Sequence, residues 1–164
     1  MSVPLTATIR PATAADVPAL GRLGALLVKV HRDFDPARFI APTPQTQSIY
    51  GDFLAQQLAE TDALVLVAEK AGAVVGYTYS GLEGNDWLTL RGPAGVIYDL
   101  VVDPGHRQQG LGRRLMQETI AALEKMRAPQ VILSTAATNT AAQALFAKLG
   151  FRATMIEMTR EAGA

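Results

Sequence analysis

The sequence predicts a mixed α/β fold with a single central sheet, and three observations lead to that prediction. The chain has 164 residues, which is the size of one domain. Two apolar, β-rich runs, 63–70 and 73–83, flank Ala71-Gly72 and predict a hairpin. Apolar residues recur at helical spacing from Leu111 to Met126, which predicts an amphipathic helix. Elements of both kinds in one short chain are expected to pack as helices against a sheet.

The first part of the chain is predicted to supply one strand and two helices. A short strand covers 6–10. Thr13 is followed three residues later by an acid, which resembles a capping box at the start of a helix that runs to about His31. Three prolines place 33–47 in a loop, because proline interrupts helices. A second helix is expected over 48–60.

The second part of the chain is predicted to alternate strands and helices. The expected elements are a strand over 96–102, a helix from Gly110 to about Arg127, a strand over 130–134, a helix from Thr138 or Asn139 to Lys148 that Gly150 ends, and a closing strand over 151–159. The resulting order is β-α-α-β-β-β-α-β-α-β, which corresponds to one layered sheet flanked by about four helices.

Composition and charge exclude several classes of function. Fifteen basic residues balance fifteen acidic ones, so no basic field exists to attract nucleic acid or a membrane surface. The chain has no cysteine, which excludes disulfides, thiol nucleophiles and thiolate metal sites, and two histidines make a metal site unexpected. Residues 1–11 lack the apolar core of a signal peptide, so a cytoplasmic location is the expectation.

The segment 101–114 joins a strand to a helix through a glycine-containing loop. Unpaired N–H groups and the helix dipole make such a helix start suitable for phosphate, and Gly110 and Gly112 allow close approach to the backbone. A tight turn without a ligand is the plainer alternative. A dinucleotide-binding fingerprint needs a third glycine, where this chain has Leu115, and a Walker loop needs a Gly-Lys-Ser/Thr triplet that the chain lacks.

Two motifs in this region resemble a known family. Arg107-Gln-Gln-Gly110-Leu-Gly112 matches the Arg/Gln-x-x-Gly-x-Gly/Ala pattern of the GNAT superfamily of acyl-CoA-dependent N-acetyltransferases. A second signature of that family is supplied by Asn139, Ala142, Leu145, Phe146, Lys148, Leu149, Gly150 and Phe151. The resemblance implies a central, mostly antiparallel sheet that is splayed at its middle and flanked by about four helices. It also implies a single N-acetyltransferase domain over 1–164.

The resemblance implies acetyl-CoA as cosubstrate and no metal. The pyrophosphate would lie on the backbone amides of 108–113, and the pantetheine arm would pair with the strand backbone of 100–102. The cofactor-binding residues implied are Leu100, Val101, Val102, Arg107, Gln108, Gln109, Gly110, Leu111, Gly112, Arg113, Asn139 and Phe146.

The catalytic side chains depart from the family pattern. The last helix often carries a tyrosine that protonates the leaving thiolate, and this chain has Phe146 there. The strand position that often holds a glutamate is occupied by Tyr98, with Asp99 beside it. Tyr98 could act as an acid, Asp99 could act as a base, or positioning alone could supply most of the rate. A CoA-binding sensor or interaction module without turnover is the remaining alternative.

The acceptor is expected to be a primary amine on a small molecule or a protein, attacking acetyl-CoA directly in a ternary complex because no cysteine can carry the acetyl group. Candidate acceptor-binding residues are His31, Tyr50, Tyr79 and Trp87. Each has a plainer role as well: His31 as a helix C-terminal cation, the tyrosines as packing residues. Trp87 lies in a loop, where an aromatic ring could cover a ligand or a partner in a homodimer.

Overall fold

The computed structural model describes residues 6–164. One sheet has five strands in the order β1-β2-β3-β4-β5. The strands are Thr8–Pro11 (β1), Ala63–Lys70 (β2), Ala73–Glu83 (β3), Ala94–Val102 (β4) and Val131–Leu133 (β5). The first four strands pair antiparallel and β5 pairs parallel to β4, so the predicted mostly antiparallel sheet is confirmed.

Four α-helices cover the two faces of the sheet. They are Val17–Phe34 (α1), Thr46–Gln57 (α2), Leu111–Lys125 (α3) and Thr140–Lys148 (α4). Alternation along β2 sends Val65 and Val67 to a core shared with α1 and α2, and Leu66 and Ala68 to a core shared with α3. A third apolar cluster joins α3 to α4. The mixed α/β prediction with about four helices is therefore confirmed.

The start of α1 is fixed by an ion pair at the edge of the sheet. Arg10 on β1 donates from Nη1 and Nη2 to the two carboxylate oxygens of Asp16, at 2.8 and 2.9 Å. The Thr13 N–H also donates to Asp16, as the capping-box pattern predicted. The hydrogen bond from Arg10 is the main reason that the pKa of Asp16 is lowered to about 2.

Two irregularities shape the middle of β4. The register with β3 shifts between Tyr79 and Ser80, so Tyr98 is an extra residue, a β-bulge. Pairing with β5 extends only from Gly95 to Ile97, and β4 continues to Val102 without a β5 partner. The splayed sheet that the resemblance implied is therefore present, and it opens immediately after Ile97.

The structure differs from the sequence prediction at the C-terminus and around the proline-rich loop. The predicted closing strand over 151–159 does not form, because this segment pairs with no strand among residues 6–164. Helix α1 extends to Phe34 and α2 begins at Thr46, which shortens the predicted loop at both ends. In the described part of the chain, no helix is both long and apolar enough to cross a membrane.

Candidate active site

A wedge opens between β4 and β5, and backbone groups of β4 face into it. The Gly95 N–H donates to the carbonyl of Gln130, which directs Gly95 and Ile97 toward β5. The Asp103 N–H donates to the Val75 carbonyl of β3 instead. Odd-numbered residues thus point their backbone groups to β5 before the bulge and to β3 after it. By alternation the backbone groups of Leu100 and Val102 point into the wedge, and those of Val101 point to β3.

The loop that follows β4 leaves the start of α3 open to a ligand. Gly110 is the N-cap residue in a left-handed conformation with φ +75°, and no side chain caps the N–H groups of the first turn. A Cβ at Gly110 would meet no atom within 4 Å, so a group such as phosphate can approach the backbone there. Gln108 is also left-handed, and Arg107 donates from Nε to the Val102 carbonyl at 3.0 Å. This arrangement fits the pyrophosphate of CoA.

Two residues that the resemblance assigned to the cofactor have structural roles in α4. Asn139 accepts a hydrogen bond from the Ala142 N–H at its Oδ1 atom and so caps the helix. Phe146 is only 8% exposed and packs in the cluster that joins α3 to α4. These positions explain why the two residues matter to the fold, and contact with CoA stays a prediction for both.

A cavity of about 200 Å³ lies on the α1 side of β4. Its lining consists of Leu27, Val28, His31, Phe39, Ile40, Tyr98 and Asp99. Simple alternation along a regular strand would send Tyr98 and Asp99 to opposite faces of the sheet. The bulge instead brings both to this one cavity, beside the point where the wedge opens.

Asp99 is the buried carboxylate of the cavity, only 7% exposed. Its Oδ2 accepts hydrogen bonds from the hydroxyls of Tyr50 and Tyr77, at 2.7 and 2.9 Å. Its Oδ1 accepts none from residues 6–164. Burial raises the pKa of Asp99, and the two hydroxyl donors lower it, with burial the larger effect. The pKa of Tyr50 is raised mainly by burial and then by Asp99, so its hydroxyl stays protonated and donating.

His31 faces the same cavity from the last turn of α1. Its Nδ1 lies 3.0 Å from the carbonyl oxygen of Leu27, and the ring packs edge-on against Phe39 with centroids 5.0 Å apart. A carbonyl oxygen only accepts, so in the neutral ring Nδ1 carries the proton. The lone pair is therefore on Nε2, the ring nitrogen left for a ligand.

Tyr98 forms the other part of the cavity floor. Its ring stacks on Tyr79 with centroids 4.7 Å apart and an interplanar angle of 30°. Its hydroxyl donates to Glu83 at 2.6 Å, and Glu83 also pairs with Arg91. Burial, followed by the hydrogen bond to Glu83, raises the pKa of Tyr98 above its ordinary value.

The structure places one of the four predicted acceptor-binding residues, His31, in the cavity lining beside the two predicted catalytic residues. His31, Tyr98 and Asp99 line the cavity, and Tyr50 supports Asp99. Tyr79 lies behind Tyr98 and donates to Gln57, while Trp87 is 79% exposed at the tip of the β3–β4 connection and lies outside the cavity lining.

The sequence did not predict the apolar wall of the cavity, which consists of Leu27, Val28, Phe39 and Ile40. A signal for half of it was present, because Leu27 and Val28 precede His31 by four and three residues and so share its helix face. The loop residues Phe39 and Ile40 carried no comparable signal.

The sequence is similar to that of known acetyltransferases. The family described as Acetyltransferase (GNAT) family matches residues 27–151. Mycothiol acetyltransferase of Thermobispora bispora is 39% identical over 89 residues, 52% of this chain and 28% of that protein. The [ribosomal protein bS18]-alanine N-acetyltransferase of Escherichia coli K12 is 41% identical over 56 residues, 34% of this chain and 38% of the relative. The chain thus spans well under half the length of these curated relatives.

Solved structures share the fold across nearly the whole chain. A single-residue mutant of the BH1408 protein from Bacillus halodurans has a TM-score of 0.79 at 22% identity, covering 94% of this chain and 98% of that one. The aminoglycoside N-acetyltransferase AAC(6')-Iy in complex with CoA has a TM-score of 0.73 at 15% identity, covering 100% and 99%. At such identities the likeness concerns the fold alone. The family match covers well over half of the sequence, and the chain belongs to the GNAT acetyltransferase family.

Proposed function

We propose that this protein transfers an acetyl group from acetyl-CoA to a primary amine by direct attack in a ternary complex. The observation that carries the proposal is the meeting of the wedge with the cavity at the Tyr98 bulge. An acyl donor lying along Leu100 and Val102 would place its reacting carbonyl beside an acceptor that rests on Asp99. Holding two reactants in this way is worth about 7 kcal/mol or more of the barrier when the geometry is good.

The cavity favours an acceptor that inserts only its amine-bearing end. Its volume of about 200 Å³ is below the roughly 300–1,000 Å³ of pockets that enclose a whole drug-sized ligand. One buried carboxylate among aliphatic and aromatic side chains suits an ammonium group on a slender apolar chain. A protein N-terminus, a lysine side chain or an aliphatic amine fits this description, and one relative is named as an N-acetyltransferase of an alanine of ribosomal protein bS18.

Asp99 and His31 are the proposed bases. The acceptor enters as an ammonium ion, and one of these groups must take its proton before nitrogen can attack. Asp99 would act in its ionised form, and its Oδ1, which accepts no hydrogen bond from residues 6–164, is the atom that would receive the substrate. His31 would then take the proton on Nε2 and pass it to solvent. Tyr50 and Tyr77 act on Asp99 as positioning residues.

The reaction forms one C–N bond and breaks one C–S bond. The neutral amine attacks the thioester carbonyl, and backbone N–H groups in the wedge stabilise the developing oxyanion. As the tetrahedral intermediate collapses, the nitrogen releases its second proton to solvent and the sulfur departs as a thiolate. An ordinary thiol has a pKa of about 8.5, far below the raised pKa of Tyr98, so proton donation from this tyrosine is uphill. Phe146 has no proton to give. We therefore assign the thiolate proton to solvent and assign Tyr98 to the cavity floor.

The first experiment measures binding and turnover separately. Calorimetry with acetyl-CoA, with NADH and ATP as controls, tests the cosubstrate, and thiol release with a panel of alkylamines and peptides tests the acceptor. Asp99→Asn is expected to lower kcat/KM by about 10²–10⁴-fold with an unchanged Kd for acetyl-CoA. Asp52→Asn, which removes an exposed carboxylate of α2, is the matched control. Full activity in Asp99→Asn would refute the assignment of the base.

A CoA-binding sensor is the second candidate function, and Phe146 is the observation that favours it. The residue lies where the family often has a tyrosine, and it is buried in the core. Tight binding of acetyl-CoA without thiol release from any amine in the panel would select this alternative. Binding of NADH or ATP in place of acetyl-CoA would contradict both functions.

A further inference from the structure

One ion pair joins the helix that lines the acceptor cavity to the loop that would hold the pyrophosphate. Arg22 of α1 donates from Nη1 to Oδ2 of Asp103 at 2.8 Å, and from Nη2 to the Val74 carbonyl of β3 at 3.3 Å. Asp103 directly follows β4, at the point where the glycine-containing loop begins. The pair therefore connects two elements that are 81 positions apart in the chain.

The carboxylate of Asp103 is held at both of its oxygens. Oδ1 accepts a hydrogen bond from the Gly105 N–H at 3.2 Å and so caps the short 3-10 turn Pro104–His106. Oδ2 is bound by Arg22. The hydrogen bond from Arg22 is the main reason that the pKa of Asp103 is lowered, so this carboxylate is ionised at neutral pH.

An ionised carboxylate at this position opposes the binding of a phosphate. Asp103 is the only acid from residue 100 to residue 117, a stretch that also contains the backbone amides of 108–113. The open N–H groups at the start of α3 attract an anion, and a carboxylate of the chain itself is one. A free Asp103 side chain would therefore repel the pyrophosphate and compete with it for the same donors.

Arg22 counteracts both effects because of the face on which α1 lies. Helix α1 packs on one face of the sheet, and the first turn of α3 packs on the other. By binding Oδ2, Arg22 holds the carboxylate on the α1 face, and its guanidinium balances the negative charge. The N–H groups at the start of α3 are then left to an external anion.

We propose that Arg22 is a positioning residue for acetyl-CoA: it neutralises Asp103 and holds that carboxylate apart from the loop amides, which stay free for the pyrophosphate. The inference rests on the proposed function, because it requires acetyl-CoA as the ligand. Arg22 acts through Asp103 and needs no contact of its own with the cosubstrate. The two members of the pair therefore differ in effect, since loss of Arg22 leaves the negative charge unbalanced, whereas loss of Asp103 removes it.

Calorimetric titration of the full chain with acetyl-CoA tests this difference. At about 50 mM salt, Arg22→Gln is expected to raise the Kd at least ~5-fold, the lower end of the usual coupling between two sites. Asp103→Asn is expected to bind at least as tightly as the wild type, because asparagine still caps the turn and carries no charge. The double variant Arg22→Gln/Asp103→Asn should return to within ~2-fold of the wild type. An ion pair that merely holds the loop in place would instead weaken binding equally when either partner is lost.

Salt separates the effect of charge from that of packing. Screening at about 0.5 M salt is much stronger than at 0.1 M, where the Debye length is ~10 Å, so the defect of Arg22→Gln should shrink to less than ~2-fold. Lys29→Gln, which removes the basic partner of another exposed ion pair of α1, is the matched control and leaves the Kd unchanged. Both pairs are exposed enough to add little to stability, so every variant is expected to fold.

The outcomes distinguish this inference from the proposed function. A wild-type protein that does not bind acetyl-CoA would overturn both. Three results would overturn the role of Arg22 alone: wild-type binding with an unchanged Kd in Arg22→Gln, an equal loss of affinity in Asp103→Asn, or a defect of Arg22→Gln that persists in the double variant.

Discussion

The contact between Gly24 of α1 and Tyr50 of α2 gives the sharpest test of how the helices position Asp99. A Cβ added at Gly24 would stand 2.1 Å from Cδ1 and 2.5 Å from Cγ of the Tyr50 ring. Distances below 3.0 Å are not tolerated, so in Gly24→Ala the ring must move. The same ring carries the hydroxyl that donates to Asp99 at 2.7 Å. Displacement of Tyr50 should therefore weaken both the fold and the support of the carboxylate.

The magnitude follows from two opposing effects on the free energy of unfolding. Overpacking costs about 1–3 kcal/mol, whereas alanine is better than glycine within a helix by about 1 kcal/mol. Gly24→Ala should therefore destabilise the wild-type protein by about 0–2 kcal/mol. In a Tyr50→Ala background the ring is absent, and the same change should stabilise by up to about 1 kcal/mol. The expected coupling between the two sites is about 1–3 kcal/mol.

Urea denaturation of the wild type, both single variants and the double variant measures this coupling. Gly84→Ala is the control, because a Cβ there meets no atom within 4 Å. A coupling below about 0.5 kcal/mol, which is the limit for independent sites, would refute the packing argument. In the activity assay, Gly24→Ala should lower kcat/KM more than Tyr50→Phe does, because it moves a whole ring rather than removing one hydroxyl.

Three further predictions concern buried polar groups. Asp16→Asn should lower the free energy of unfolding at pH 7, measured by urea denaturation, by about 2 kcal/mol. Because the pKa of Asp16 is lowered in the folded protein, the wild type should keep this extra stability above the unfolded pKa of 3.8 and lose it as the pH falls through about 2. Thr119→Val should lower the free energy of unfolding by about 1–3 kcal/mol, because the buried Thr78 hydroxyl, 2.7 Å from the Thr119 hydroxyl, would lose its hydrogen-bond partner. The double Thr78→Val/Thr119→Val variant should recover most of that stability. The pH profile of kcat/KM should fall on the acid side through a pKa above 3.8, since Asp99 must be ionised, and Asp99→Asn should abolish that limb.

The sequence predicted correctly the elements that have strong local signals. The prediction was wrong for the strand over 151–159, whose formation depends on a neighbouring strand. The hairpin 63–83 and helix α3 were predicted because alternation and helical spacing are local properties, and both are confirmed. The strand over 151–159 has a strand-like composition too, but a strand requires a neighbour. Its composition predicts that it can pair and says nothing about where the neighbour lies.

The candidate site was predictable in part for the same reason. The glycines of the loop before α3 and the pair Tyr98-Asp99 are visible as motifs. The hydrogen bond from Tyr50 joins residues 49 positions apart and depends on the close packing of α1 and α2. Phe39 and Ile40 reach the cavity from a loop without periodicity. Contacts of this type follow from tertiary packing and have no local signature.

The bulge at Tyr98 is the feature from which the rest of the site follows. In a regular strand, the side chains of Tyr98 and Asp99 would face opposite sides of the sheet. The backbone N–H and C=O groups of Leu100 would then point to β3. The extra residue reverses this alternation from Asp99 onward. Asp99 therefore lies on the α1 side together with Tyr98, and the backbone groups of Leu100 point into the wedge. The last β4–β5 pair, Ile97 with Leu133, lies one residue before the bulge at Tyr98. The wedge therefore opens next to this one backbone irregularity, which also brings Tyr98 and Asp99 to the same cavity. A relative with the same motifs but a regular β4 should lack this cavity.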